Sequence, residues 1–196
     1  MNKELKKIIQ SDFFRYYGEG GGYHFMWSLL NHSLKCIVTY RKANYYAKHN
    51  KLLYLYYTYR LKILDKKYAF HIPVKTEIGE GFFIGHNGPI IINTKAKIGK
   101  NCNIATGVTI GRENRGKREG APTIGNKVWI GTNAVVVGKV TIGDNVLIAP
   151  NAYVNFDVPS NSIVIGNPGK IIENRPDATQ GYCHNLFAVS SSENSC

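Results

Sequence analysis

A histidine at an irregular corner of a repeated pattern has the chemistry of a catalyst. His86 lies in the segment Gly85-His86-Asn87-Gly88-Pro89, which interrupts an otherwise regular spacing of aliphatic residues. An imidazole titrates near neutral pH, so it can take the proton of a hydroxyl group as that hydroxyl attacks an electrophile. A surface turn histidine without a function is the alternative interpretation. Because insertions in a repeated fold lie on its surface, where functional residues gather, the pattern favours a general base.

Basic residues gather in a second interruption of the same pattern, the segment 112–120, and at two later positions. The residues concerned are Arg112, Arg115, Lys117, Arg118, Lys139 and Lys170. Phosphate groups are bound by cations and by backbone N–H groups. We therefore expect these residues to bind a phosphorylated cofactor, and a solvated basic loop without a ligand is the alternative.

Aliphatic residues recur every six positions through the middle of the chain. The positions are Ile72, Ile78, Ile84, Ile92, Ile98, Ile104, Ile110, Ile124, Ile130, Val136, Ile142, Ile148 and Val154. Each six-residue unit makes one short strand and one turn, so the aliphatic side chain always points to the axis of a triangular coil. A glycine or another small residue often follows and lets the chain turn the corner. The pattern predicts a mainly β fold, a parallel β-helix of hexapeptide repeats.

The spacing of apolar residues changes near residue 70 and divides the chain. Residues 1–69 carry apolar residues at mixed spacings of three and four, which predicts a small helical N-terminal segment. We expect the β-helix domain to span residues 70–170 and a C-terminal tail to span residues 171–196, with a mobile Ser-rich end. The dense tyrosines between Tyr45 and Tyr59 favour packing within the helical segment. A basic aromatic face against an anionic membrane or another subunit is the alternative.

Charge and cysteine content narrow the classes of function. The chain has 25 Lys and Arg residues against 13 Asp and Glu, and the formal net charge of +12 favours polyanionic partners or ligands. Without a known nucleic-acid module, we expect no nucleic-acid partner. The cysteines, at 36, 102, 183 and 196, form no CxxC pair, so we expect reduced structural thiols and no zinc site. No segment reads as a signal peptide or reaches the ~18 apolar residues of a membrane span, so we expect a cytoplasmic protein.

The stretch from about Ile72 to Lys170 resembles the hexapeptide-repeat acyltransferases, and within them the serine acetyltransferase group. The motifs that carry the resemblance are IGEGFFIGH at 78–86 with the following GPIIIN, GVTIG at 107–111, VWIG at 128–131 and IGNPGK at 165–170. The resemblance implies a left-handed β-helix, a homotrimer and acetyl-CoA as co-substrate, with no metal. It places His86 in the position of the general base, which takes the proton of the acceptor hydroxyl for direct attack on the thioester.

The resemblance also implies where coenzyme A would lie. The pantetheine arm is expected in a groove between two neighbouring β-helices, with the turn at 166–170 near the adenine. The expected cofactor-binding residues are Gly111, Arg112, Lys117, Arg118, Lys139, Gly166, Asn167 and Lys170. Backbone N–H groups of the stretch 107–111 are candidate donors to the tetrahedral oxyanion. We expect Trp129 to serve packing rather than stacking on a ligand.

Three positions depart from the serine acetyltransferase pattern. That group has an aspartate fifteen residues before the catalytic histidine, an acid directly before it, and a substrate-binding histidine after the long loop. This chain has His71, Gly85 and Ala121 at those positions. The group that orients His86 therefore stays open between a backbone carbonyl, Glu77 and Glu80. The role of His71 stays open between a hydrogen bond to His86, a contact with the acceptor, and packing at the first corner.

These departures decide the acceptor that we predict from the sequence. We expect an acetyl-CoA-dependent O-acetyltransferase acting on a sugar hydroxyl in surface polysaccharide biosynthesis, with His71, Asn87 and Thr109 binding the acceptor. A serine O-acetyltransferase of cysteine biosynthesis is the alternative. A metal enzyme with three converging histidines is disfavoured, because only His71 and His86 lie in the repeat. A scaffold without catalysis would leave His86 without a purpose.

Overall fold

Three helices precede the strands in the computed structural model, which describes residues 2–19 and 31–188. They are α1 (Lys3–Tyr17), α2 (His32–His49) and α3 (Lys51–Tyr68). An asparagine begins each of them. The side chains of Asn2, Asn31 and Asn50 each accept a hydrogen bond from a backbone N–H of the first turn. Asn50 also ends α2, so α2 and α3 form a hairpin with a one-residue connection.

Short strands make up the rest of the described chain. They are β1 (Phe70–His71), β2 (Glu77–Ile78), β3 (Phe83–Ile84), β4 (Ile90–Ile92), β5 (Lys97–Ile98), β6 (Asn103–Ile104), β7 (Thr109–Gly111), β8 (Thr123–Ile124), β9 (Trp129–Ile130), β10 (Val135–Val137), β11 (Thr141–Ile142), β12 (Val146–Ile148), β13 (Tyr153–Val154), β14 (Ser162–Ile165) and β15 (Lys170–Ile172).

The strands form the three sides of a prism. Sheet A has the order β1-β4-β7-β10-β13, sheet B the order β2-β5-β8-β11, and sheet C the order β3-β6-β9-β12-β14-β15. All pairings are parallel except β14 with β15. Because every third strand joins the same sheet, each triangular coil of the chain stacks directly on the one before it.

The axis of the prism is filled by the repeated aliphatic residues. All thirteen positions from Ile72 to Val154 are buried, and the most exposed of them, Ile78, is 8% exposed. The predicted inward direction of these side chains is confirmed. Burial of one such side chain stabilises the fold by about 1.5–3 kcal/mol.

Glycines stack in a column at the corner between sheets B and C. The column consists of Gly79, Gly99, Gly125 and Gly143, one from each successive coil. A Cβ atom on Gly99 would lie 2.5 Å from the carbonyl oxygen of Gly125, closer than real Cβ contacts. The coils therefore approach each other at this corner as closely as backbone allows.

A buried ion pair attaches the helices to the first coil. The Arg41 guanidinium donates to both carboxylate oxygens of Asp12, at 2.8 and 3.0 Å. It also donates to the carbonyl of Gly79, and Asp12 accepts the backbone N–H of Phe82 at 2.8 Å. Burial lowers the pKa of Arg41, but the charge of Asp12 and the hydrogen bonds to its carboxylate together outweigh burial, so the Arg41 pKa is raised. Both charges are thus partnered within the protein.

The chain after β15 returns along the outer face of sheet C. We call residues 175–188 the C-terminal strap. Asn145 holds its beginning by donating to the carbonyl of Pro176 at 2.9 Å, and Asn103 donates to the carbonyl of Tyr182 at 2.9 Å. These residues, which the sequence assigned to a tail, are therefore packed on the domain. The mobility expected of the Ser-rich end concerns positions outside the described residues.

Candidate active site

A groove beside His86 is built from three parts of the chain. His86 is exposed and stands at the corner between β3 of sheet C and β4 of sheet A. The groove has a volume of about 560 Å³ and lies between sheet C, helix α1 and the C-terminal strap. Its lining includes Tyr16, Phe83, Asn103, Trp129, Tyr182 and His184. Aromatic, amide and imidazole groups thus surround the candidate base.

The backbone that leads into His86 is held by Tyr16 of α1. The Tyr16 hydroxyl donates to the carbonyl of Ile84 at 2.8 Å and accepts from the N–H of the same residue at 3.1 Å. Burial raises the pKa of Tyr16, so its hydroxyl stays protonated and can donate. Because Ile84 is only two residues before His86, helix α1 fixes the start of the corner that carries the candidate base.

The side of the corner after His86 is held by α2. The Asn87 side chain forms hydrogen bonds with His32 Nδ1 at 3.1 Å and with Ser33 Oγ at 3.4 Å. His32 itself stacks on Tyr68, with ring centroids 4.5 Å apart. The Asn87 side chain thus anchors the corner to α2, and its role in binding the acceptor stays a prediction.

The His86 ring forms no hydrogen bond with any residue in the described part of the chain, so none of the candidates for orienting it does so here. The Glu77 carboxylate lies 3.4 Å from Lys97 Nζ, and the Glu80 carboxylate lies 3.5 Å from Lys7 Nζ. Neither carboxylate that the sequence offered is therefore engaged with His86. The imidazole is left accessible from the groove.

Two predicted acceptor residues lie around the corner, on the outer face of sheet A. His71 pairs with Ile91, and Ile91 pairs with Thr109, so the three form one row across adjacent strands. The His71 ring nitrogen Nδ1 lies 3.2 Å from an Asp65 carboxylate oxygen. Neither His71 nor Thr109 lines the groove beside His86. One chain therefore does not bring them to the candidate base on the sheet C side.

The basic loop stands at the opposite edge of sheet A. It follows β7, and an antiparallel bridge between Glu113 and Gly120 closes it. Lys139 joins it, since its N–H donates to the Arg118 carbonyl at 2.9 Å. Arg112 Nη2 lies 3.1 Å from Glu119 Oε1. The Nε atom of Arg112 is buried without a hydrogen-bonding partner among the described residues. The loop thus gathers Gly111, Arg112, Lys117, Arg118 and Lys139 at one corner.

The predicted adenine turn lies at the far end of the edge that carries His86. It follows β14 of sheet C, and the Gly166 carbonyl accepts the N–H of Tyr153, the first residue of the last strand of sheet A. The peptide bond between Asn167 and Pro168 is cis. The turn, with Lys170 after it, therefore shares one corner of the prism with His86, several coils away.

Two of the proposed oxyanion donors are already used. The N–H of Gly107 donates to the Pro89 carbonyl at 2.6 Å, and the N–H of Thr109 donates to the Ala134 carbonyl at 3.0 Å. These bonds hold neighbouring coils together. The expectation that the stretch 107–111 stabilises an oxyanion therefore fails at these two positions.

Comparison with known proteins identifies the family. The family model for bacterial transferase hexapeptide (six repeats) matches residues 121–155. A serine acetyltransferase of Helicobacter pylori is 32% identical over 144 residues, which cover 74% of this chain and 83% of that protein. The chain belongs to the serine acetyltransferase family. A relative from Staphylococcus xylosus is 42% identical over 99 residues, but this chain spans only 45% of its length.

Solved structures of serine acetyltransferases share the fold. The enzyme of Brucella abortus in complex with coenzyme A superposes with a TM-score of 0.73 at 26% identity, over 89% of this chain and 70% of that chain. The enzyme of Neisseria gonorrhoeae in complex with serine gives 0.72 at 25% identity, over 87% and 70%. The predicted left-handed β-helix and the predicted acyltransferase class are confirmed.

Several groove residues had no signal in the sequence. Arg15 of α1 is 3% exposed and donates to the carbonyls of Gly81 and His184 and to the Asn103 side chain. Burial lowers its pKa. Its partners are 66 to 169 positions away in sequence, so no local pattern could reveal them. Trp129 packs as expected, with its ring 4.8 Å from that of Tyr182, but it also lines the groove.

The three cysteines among the described residues supply no nucleophile for a covalent intermediate. Cys36, Cys102 and Cys183 are free and buried, and burial raises the pKa of Cys102 to about 12. A thiol with this pKa is almost entirely protonated at neutral pH. Within residues 2–19 and 31–188, no three His, Cys, Asp or Glu side chains form a group able to hold a metal, and no helix there is long and apolar enough to cross a membrane.

Proposed function

We propose that this protein is an acetyl-CoA-dependent O-acetyltransferase in which His86 is the general base and L-serine is the acceptor. The observation that carries the proposal is the position of His86, exposed at the irregular corner of the β-helix, in a chain whose matched segment of 144 residues covers 83% of a serine acetyltransferase. Structures of related enzymes in complex with serine and with coenzyme A support the two substrates. These comparisons favour serine over the sugar acceptor that the sequence predicted.

The chemistry that we propose for His86 is a direct transfer. The neutral imidazole takes the proton of the acceptor hydroxyl while the hydroxyl oxygen attacks the carbonyl carbon of the thioester. The tetrahedral intermediate then collapses, the carbon–sulfur bond breaks, and the leaving thiolate takes the proton from the imidazolium. A general base of this kind typically contributes about 100- to 10,000-fold to the rate. The high pKa of the buried Cys102 thiol agrees with a route that needs no acyl-enzyme.

We place the phosphates of acetyl-CoA at the basic loop and at the turn 166–170. Arg112 supports the first position, because Glu119 holds its guanidinium at the loop and its side chain is 33% exposed, so it can donate to a phosphate oxygen. Lys117, Arg118 and Lys139 would add positive charge around it. Gly166 and Lys170 support the second position, since the turn shares the prism corner that carries His86.

We further propose a homotrimer with sites between subunits. His86 and the basic loop stand at opposite edges of sheet A, so a single convex prism cannot bring both to one ligand. The outer face between them offers Ile91, which is 49% exposed, together with Val135 and Tyr153. Packing this face against a neighbour would bury it and form a groove. Light scattering should give a trimer, and an active monomer would contradict the arrangement.

A carbohydrate hydroxyl is the second candidate acceptor, and two observations favour it. The positions that hold serine by the family resemblance carry His71, Gly85 and Ala121, which leave its ammonium without a carboxylate. The groove beside His86 also presents the Trp129 and Tyr182 rings with amide groups, a lining suited to a sugar ring.

An assay of thiol release from acetyl-CoA distinguishes the two candidate acceptors. We would measure kcat/KM for L-serine and for a panel of mono- and oligosaccharides with the same purified enzyme. A high value for serine with inert sugars supports the proposal. A high value for a sugar with negligible serine turnover establishes the second candidate, and no release with any hydroxyl acceptor contradicts O-acetyl transfer.

A further inference from the structure

Helix α3 carries a stripe of large apolar side chains that face solvent. Leu52 is 80% exposed, Leu55 54% and Tyr59 67%, and Tyr56 and Ile63 are about half exposed. These five residues recur at intervals of three, four and seven, so they form one continuous stripe along the helix. The opposite side of α3 packs inward through Leu61 and Leu64. We call the five residues the α3 stripe.

Lysines accompany the α3 stripe, and acids are absent from it. Lys62 and Lys66 share the helical face of Leu55, because they follow it by seven and eleven residues, and both are exposed. Across residues 32–68 there are nine Lys and Arg residues against one acid, Asp65. Asp65 points away from the stripe, since its carboxylate lies 3.2 Å from the ring of His71. The surface is therefore both apolar and strongly basic.

We propose that the α3 stripe binds the surface of a membrane that contains anionic phospholipid. Leucine and isoleucine would enter the boundary between headgroups and acyl chains. Tyrosine would lie at the headgroup level, with its ring in the apolar layer and its hydroxyl in water. The lysines would meet anionic headgroups, which attract basic residues close to a membrane surface. One exposed side of a helix suffices for such peripheral contact.

Charge argues against a second copy of this chain as the occupant. A symmetric contact between two copies pairs the same surface with itself. Lys62, Lys66 and Lys67 of each copy would then enter an interface in which neither stripe offers an acid to pair with them. An anionic lipid surface satisfies both the apolar and the basic part of the patch. The inference is independent of the acceptor.

The test is sedimentation of the full-length protein with vesicles of phosphatidylcholine alone and of phosphatidylcholine with phosphatidylglycerol. We expect binding to the anionic vesicles that weakens with salt, because screening reduces attraction between exposed charges. Leu52→Gln/Leu55→Gln should weaken it at least about tenfold, given the apolar area removed. Lys62→Gln/Lys66→Gln should weaken it and reduce its salt dependence. Both pairs are exposed, so circular dichroism should stay unchanged.

The matched controls are Ile172→Gln and Lys95→Gln/Lys97→Gln, exposed residues away from the α3 stripe. These variants should bind vesicles like the wild type. Wild-type protein that stays in the supernatant with anionic vesicles would overturn the proposal, as would equal binding by the leucine variant. Light scattering that shows a larger assembly, dissolved by the leucine variant in the absence of vesicle binding, would assign the stripe to a second copy.

Discussion

The contacts that stabilise the β-helix differ from those that attach the helical segment to it. In the β-helix every coil repeats the same environment. The aliphatic residue at every sixth position is therefore buried, and the glycine at one corner of each coil stacks on the glycine of the next. Apolar residues of the helices, such as Ile37 and Leu61, join the same core. The helices differ in that single polar side chains, such as Asp12, Arg41 and Tyr16, also bond to the backbone of the first coil. The β-helix thus repeats one kind of contact at every coil, whereas the attachment of the helices also depends on a few polar groups that do not repeat.

The largest effect on stability should come from breaking the attachment at Asp12. In Asp12→Ala the Arg41 guanidinium stays buried without its counter-charge, which typically costs about 3–5 kcal/mol. Urea denaturation followed by circular dichroism measures the loss in free energy of unfolding. Asp177→Ala is the control, since it removes an exposed acid that also pairs with an arginine. Equal midpoints for the two variants would show that the buried pair does not hold the helices.

A smaller effect should come from disturbing one corner of the β-helix. In Gly99→Ala the new methyl group would meet the Gly125 carbonyl oxygen, and spreading the two coils should cost about 1–3 kcal/mol. Gly111→Ala is the matched control, because its methyl group would lie 3.5 Å from Val137, an ordinary contact. The same urea experiment compares them. If Gly99→Ala were as stable as the control, the glycine column would not be required by close approach.

The same contrast explains what the sequence could predict of the fold. Aliphatic residues recur every six positions in every coil. This spacing identified the inward residues from Ile72 to Val154 and both interruptions of the pattern. The attachments involve single pairs that lie far apart in the chain. Arg15 bonds to the carbonyl of His184 across 169 positions, and nothing near either residue indicates this. The strap was therefore missed although its residues are packed.

In the candidate site, too, the sequence pattern revealed some residues and not others. His86 could be found because it interrupts the repeat, and the basic loop for the same reason. The direction of a side chain at a corner depends on what packs against that corner. Asn87 turns to α2, and His71 lies on sheet A beside Asp65 rather than in the groove. Tyr182 and His184 enter the groove only because the strap folds back.

The variant His86→Ala decides whether His86 is the base of an acetyl transfer. The side chain is exposed and forms no hydrogen bond within the described chain, so the variant should unfold at the wild-type midpoint. His49→Ala, an exposed histidine on α2, serves as the control. With the best acceptor of the panel, we predict that kcat for thiol release from acetyl-CoA falls about 100- to 10,000-fold in His86→Ala and stays unchanged in His49→Ala. Wild-type turnover by folded His86→Ala would show that His86 is not the general base.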